Sequence, residues 1–156
     1  MCGISGFISN NYNKNDLVKM TDSLTHRGPN ASGYFFDQDK GVALGHRRLS
    51  IIDLSDKANQ PMTSHCGKYI MVYNGEIYNF KDIAIRLNKS NWKTSSDSEV
   101  ILEAFVKWGI NFVHQLNGMF AIAIYDKKRE KLFLLRDRMG IKPLYYFYNK
   151  KDLIFK

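Results

Sequence analysis

The chain has 156 residues, 44% of them hydrophobic and 24% charged, a composition that reads as one globular domain over 1–156 and not as a disordered chain. No apolar run approaches the roughly 18 residues a membrane span requires, and no basic segment with an apolar core opens the sequence, so neither insertion nor secretion is expected. The 23 Lys and Arg outnumber the 15 Asp and Glu for a net charge of +8, but the cations are scattered through turns such as Lys127-Lys128-Arg129 without a basic helix or RNA-binding aromatic motif, which argues against a nucleic-acid partner.

From the N-terminus, Gly3–Ser9 alternates as a strand and breaks at Asn10-Asn11-Tyr12-Asn13. Leu17, Met20 and Leu24 then fall at helical spacing, which predicts a helix from Lys14 to about Thr25, stopped by Arg27-Gly28-Pro29. Strands are expected at Ser32–Phe36 and Val42–Arg47, followed by an irregular loop over Ile51–Pro61. Lys68–Tyr73 is a further strand, halting at Asn74-Gly75, a pair that favours a hairpin turn, with a functional turn as the competing reading. Asp82–Leu87 predicts a short helix. Ser96-Asp97-Ser98-Glu99 matches a capping box opening a helix that ends near Gly109. Met119–Tyr125 is apolar without alternation, as in a strand covered on both faces. Strands at Lys131–Leu135, Leu144–Tyr148 and Leu153–Phe155 complete an α+β domain of antiparallel sheets with outer helices.

The chemistry begins at Cys2. Removal of Met1 would leave a thiol and a free α-amine on the same residue, a nucleophile with a base that exchanges protons near neutrality. Cleaving an amide on an amino-acid ligand needs further groups, and candidates for each are present. The Asn74 side chain and the Gly75 N–H offer a two-donor oxyanion hole. Arg47-Arg48 offers a planar fork for a carboxylate, and Glu76 and Asp97 offer anions for an ammonium. Cys66 reads as an ordinary small residue. Neither the two cysteines nor His26, His46, His65 and His114 show metal-ligand spacing, and a reducing cytoplasm would keep both thiols free.

In this order MCGISGF, HRGP, GHRRLSIIDLS, QPM, YNGEIYN, SDSEVIL, LNGMFAIAIYD and RDRMGIKPLYY resemble the glutaminase domain of the asparagine synthetases, class II glutamine amidotransferases with an N-terminal nucleophile. The resemblance covers nearly the whole chain, and YNGEIYN points to the asparagine-synthetase branch over its sister amidotransferases. It implies a four-layer αββα sandwich, cytoplasmic, without a cofactor in this domain. Cys2 would attack the side-chain amide of L-glutamine and form a thioester. Asn74 and Gly75 would hold the oxyanion, Arg48 the α-carboxylate, and Glu76 and Asp97 the α-ammonium, while Leu49, Ser50, Ile51 and Ile52 pass along the ligand. Asp97 would also favour its helix N-terminus. Arg27 is expected in a structural contact and Arg47 facing solvent.

The family carries a larger C-terminal synthetase domain that uses ATP and magnesium to activate aspartate, and no such segment occurs in these residues; a fragment or an excised domain is therefore expected. Its partner would be that domain or a separate synthetase subunit, and a homodimer is compatible with the resemblance. The ammonia acceptor stays open between aspartate and another carboxylate. The alternative is a catalytically silent glutamine-binding or regulatory module.

Overall fold

The computed structural model describes residues 2–51 and 53–156; Met1 and Ile52 lie outside it. Among the described residues, nine strands form two antiparallel sheets. The first sheet holds β1 (Gly3–Ile8), β2 (Ala31–Asp37), β3 (Val42–Arg48), β8 (Tyr146–Tyr148) and β9 (Leu153–Phe155) in the order β2-β3-β1-β9-β8. The second holds β4 (Met62–Thr63), β5 (Tyr69–Ile77), β6 (Gly118–Asp126) and β7 (Lys131–Arg136) in chain order.

Side-chain volumes explain how the sheets stack. On β6, Phe120, Ile122 and Ile124 join the cluster under the helices, while Ala121, Ala123 and Tyr125 join the one between the sheets. The alternation absent from this strand as polarity is thus present as size, large toward the helices and mostly small toward the facing sheet. Helices α2 (Phe80–Leu87) and α3 (Asp97–Trp108) supply Ile83, Leu87, Ile101 and Phe105 to the outer cluster. Helix α1 (Lys14–Asp22) covers the opposite face, where Leu17 packs with Phe7 and Ala43. It lies so close that a Cβ on Gly45 would stand 2.0 Å from Thr21 Oγ1. The layers therefore run α, β, β, α.

Three local expectations are corrected. Asn74-Gly75 is no turn: β5 runs through it, with Asn74 opposite Ala121 and Gly75 opposite Phe120. A Cβ at position 75 would lie 2.2 Å from the Met119 carbonyl oxygen, so glycine is needed for close strand approach and not for a left-handed turn. The second concerns the box at Ser96. Ser96 is the N-cap of α3 but makes no capping bond, because its hydroxyl pairs with Thr94 Oγ1 at 2.8 Å. Glu99 reaches beyond it to the N–H groups of Lys93 and Thr94, at 3.0 and 2.7 Å. The capping box is at α1 instead, between Asn13 at the end of the break after β1 and Asp16 inside the expected helix. Third, Arg47 does not face solvent. It turns toward α1, with Nη1 3.4 Å from Asp22 and Nε donating to the Gly28 carbonyl at 3.2 Å.

Candidate active site

Alternation along the facing strands builds the site. Val42 and Leu44 of β3 point into the space between the sheets. The same parity carries His46, opposite Ile4, and Arg48, level with Cys2 by continuation of the β1–β3 register. On β5 the parity of Ile70 and Val72 continues to Asn74 and Glu76. At this end of the sandwich the apolar core gives way to a pocket lined by Cys2, His46, Arg48, Leu49, Ile51, Asp53, Gln60, Tyr73, Asn74, Gly75, Glu76, Ser96, Asp97 and Ser98.

Cys2 is half-buried and held from both sides. The Leu49 N–H donates to its Sγ at 3.4 Å, and Arg27 Nε donates to its carbonyl at 3.4 Å, the structural contact expected of Arg27. Buried Lys142 stands in the same field. Burial, then Arg27, push its ammonium below the usual lysine range, while Asp137, Glu76 and Cys2 act against that shift.

The oxyanion candidates sit on an edge. Strand β4 pairs only with Ile70 and Met71, which leaves β5 uncovered beyond them. N–H groups of an antiparallel strand point alternately to its two sides, and those of Tyr73, Gly75 and Ile77 share the uncovered one. Tyr73 N–H donates to Gln60 Oε1 at 2.6 Å and Ile77 N–H to Asp97 Oδ2 at 3.1 Å. The Gly75 N–H between them faces the pocket. Next to it in the chain Asn74 is 5% exposed, and its Oδ1 has no hydrogen-bond partner among the described residues. The same carboxamide carries an NH2, which can serve as a second donor beside the Gly75 N–H.

Across the pocket Arg48, 6% exposed, fastens the loop after β3. Its Nη1 donates to the Ser55 carbonyl at 2.8 Å and to Asn59 Oδ1 at 2.7 Å, and its Nη2 to the Asp53 carbonyl. These bonds use three of the guanidinium's five hydrogens and leave Nε–H and one Nη2–H for a ligand. Asp53 ties the same loop to the start of α3 through the Ser95 N–H at 2.9 Å. Hydrogen bonds from Ser55 and Ser95 lower its pKa to about 2. Asp97 Oδ2 also accepts from Tyr73 Oη at 2.7 Å. Burial raises the Asp97 pKa against the opposing bonds from Tyr73, Ile77 and Ser98, so this carboxylate gains from an arriving cation. Glu76 is exposed at the rim.

Of the residues singled out in the sequence, the structure gathers Cys2, Arg48, Leu49, Asn74, Gly75, Glu76 and Asp97 around one pocket, with Ile51 at its mouth, 70% exposed. Ser50 stands aside, its N–H donating to Asn30 Oδ1 at 3.0 Å, and Ile52 lies outside the described residues. Sequence reasoning missed His46, Gln60 and Tyr73. His46 could have been found, since it is two residues before Arg48 on the same strand face. Gln60 could not, because a loop brings it there. Among the described residues no three His, Cys, Asp or Glu side chains gather to hold a metal ion.

The glutamine amidotransferase domain model matches residues 1–156. The chain is 43% identical to "Asparagine synthetase [glutamine-hydrolyzing] 2" of Bacillus subtilis over 99% of its own length and 21% of that protein's. It is 39% identical to "Putative asparagine synthetase [glutamine-hydrolyzing] 2" of Methanocaldococcus jannaschii over 99% of the chain and 33% of the relative. For "Amidase chry2" of Gibberella zeae the figures are 36%, 99% and 25%. The chain thus spans about a fifth to a third of the length of these relatives. An antiparallel αββα sandwich, with a pocket at one end of its sheets and a family match along the whole sequence, makes this chain a member of the glutamine amidotransferase domain family.

Proposed function

We propose that the domain hydrolyses the side-chain amide of L-glutamine and passes the ammonia to a synthetase domain, in the same chain or a partner, that amidates aspartate or another carboxylate. One observation carries the reading: the Gly75 N–H faces the pocket between two occupied edge N–H groups, with the Asn74 carboxamide next to it in the chain, its Oδ1 without a partner among the described residues, and Cys2 in the same pocket lining. The Cys2 sulfur attacks the amide carbon, and Gly75 N–H and Asn74 Nδ2 hold the oxygen as it gains charge. The nitrogen takes the thiol proton through the α-amine that Cys2 carries once Met1 is removed, and it leaves as ammonia. Water then opens the thioester and releases glutamate, returning the proton to sulfur. The two remaining Arg48 donors grip the α-carboxylate, and Asp97 and Glu76 receive the α-ammonium. Leu49 and Ile51 flank the ligand. ATP and magnesium belong to the synthetase, not to this domain.

Glutamate release tests the assignment. The Met1-free protein should turn over glutamine, and Cys2→Ala should abolish turnover. Asn74→Ala should lower kcat by roughly 10²–10³ with KM near wild type, since the donor matters most when charge develops. Loss of binding with kcat intact would show instead that Asn74 only shapes the pocket.

A further inference from the structure

His46 is 1% exposed, on the same face of β3 as Arg48 and in the wall of the Cys2 pocket. Its Nε2 is buried and has no hydrogen-bond partner among the described residues. A neutral imidazole has one N–H and one lone pair, and with the proton on Nδ1 the lone pair stands on Nε2. Burial, helped by the positive charge of Arg48, lowers its pKa to about 3, so the imidazole is neutral at physiological pH. A buried nitrogen lone pair without a donor is costly unless a ligand supplies one.

We propose that His46 is a ligand-contacting residue whose Nε2 accepts an N–H from the α-ammonium of the bound amino acid. The inference rests on the glutamine reading above and adds a selectivity element to it. An α-ammonium has three N–H donors and needs three acceptors. Asp97 and Glu76 account for two, and His46 supplies the third. Its position fits that half of the ligand. It neighbours Arg48 on β3, and Tyr73, in the lining of the same pocket, holds Asp97 through the phenol. A neutral imidazole accepts from the ammonium without repelling it, where a lysine or a charged histidine would not.

The test compares binding of glutamine with that of 4-carbamoylbutanoate, which is glutamine without its α-amine, by calorimetry on the Met1-free Cys2→Ala protein, so that neither ligand is consumed. The background with His46 intact should prefer glutamine. Adding His46→Leu should cut that preference about tenfold while leaving affinity for the deamino compound within twofold. His46→Gln, which keeps an acceptor near the Nε2 position, should restore most of the preference. If His46→Leu does not fold by circular dichroism, His46→Asn takes its place, because its amide reaches only as far as Nδ1. An unchanged preference in the acceptor-free variant overturns the proposal, as does equal weakening of both ligands, which marks a structural role. Failure of the His46 background to bind glutamine at all overturns the glutamine reading, and this inference with it.

Discussion

At the scale of single residues, the pocket is built from groups with two duties. Arg48 holds the 53–59 loop with three donors and offers a ligand the other two. Arg48→Lys keeps the charge but not the planar fork, so it should both weaken glutamine binding at least about tenfold and destabilise the protein, by about 1–3 kcal/mol through the lost loop bonds. Calorimetric binding and denaturant melts separate the two effects, and a variant that lost affinity with no change in stability would mean that the loop bonds contribute nothing. His46 sets a pH dependence. Its folded pKa of about 3 lies below the ordinary histidine value of 6.5, so the unfolded chain binds a proton that the folded one refuses. Stability from this group is complete above about pH 6.5 and drains away as pH falls toward about 3, by on the order of 4 kcal/mol. Asp97, with its pKa raised by burial, acts in the opposite sense on acidification. Urea midpoints between pH 4 and 7 should fall more steeply for wild type than for His46→Gln, and parallel slopes would contradict the assignment.

At the scale of elements, the short β4 is what makes the site. By pairing only with Ile70 and Met71 it leaves the Tyr73–Ile77 edge open, and Gln60 and Asp97 close all of that edge except at Gly75. Gly75→Ala tests this. Its Cβ would meet the Met119 carbonyl at 2.2 Å and the Phe120 Cα at 2.8 Å, both backbone, so the β5–β6 pair must spread. The expected result is a loss of about 2 kcal/mol or more in stability and a fall in kcat larger than that of Asn74→Ala, because the N–H and the neighbouring carboxamide move together. Unaltered turnover would remove Gly75 from the oxyanion site. Here the sequence misleads for a physical reason. Asn-Gly suits a type I′ turn by local preference, and only the packing of β6 against β5 shows that this glycine answers a contact from another strand. Ser96 and Glu99 mislead in the same way, since the spacing of a capping box is present while its hydroxyl and carboxylate are drawn to Thr94 and Lys93.

At the scale of the whole molecule, strand periodicity and the apolar run at Met119–Tyr125 made two stacked sheets legible, and they lie with β6 inside the second, between helices and the facing sheet. Much of the pocket was legible too, because Cys2, Arg48, Asn74, Glu76 and Asp97 stand in contiguous motifs. Gln60 and Tyr73 were not, as their roles depend on which loop meets which sheet edge. Among the described residues no helix is long and apolar enough to cross a membrane. If Cys2 is the nucleophile of a glutamine site, the second thiol provides the control. Cys66 is exposed and Cys2 only half-buried, so accessibility alone favours Cys66. Met1-free protein should be treated with a glutamine-mimicking diazo-ketone, with and without excess glutamine, and the adduct located by peptide mapping. The expected result is one adduct, on Cys2, suppressed by glutamine and accompanied by loss of glutamate release. An adduct on Cys66, or labelling of Cys2 that glutamine does not slow, would contradict it.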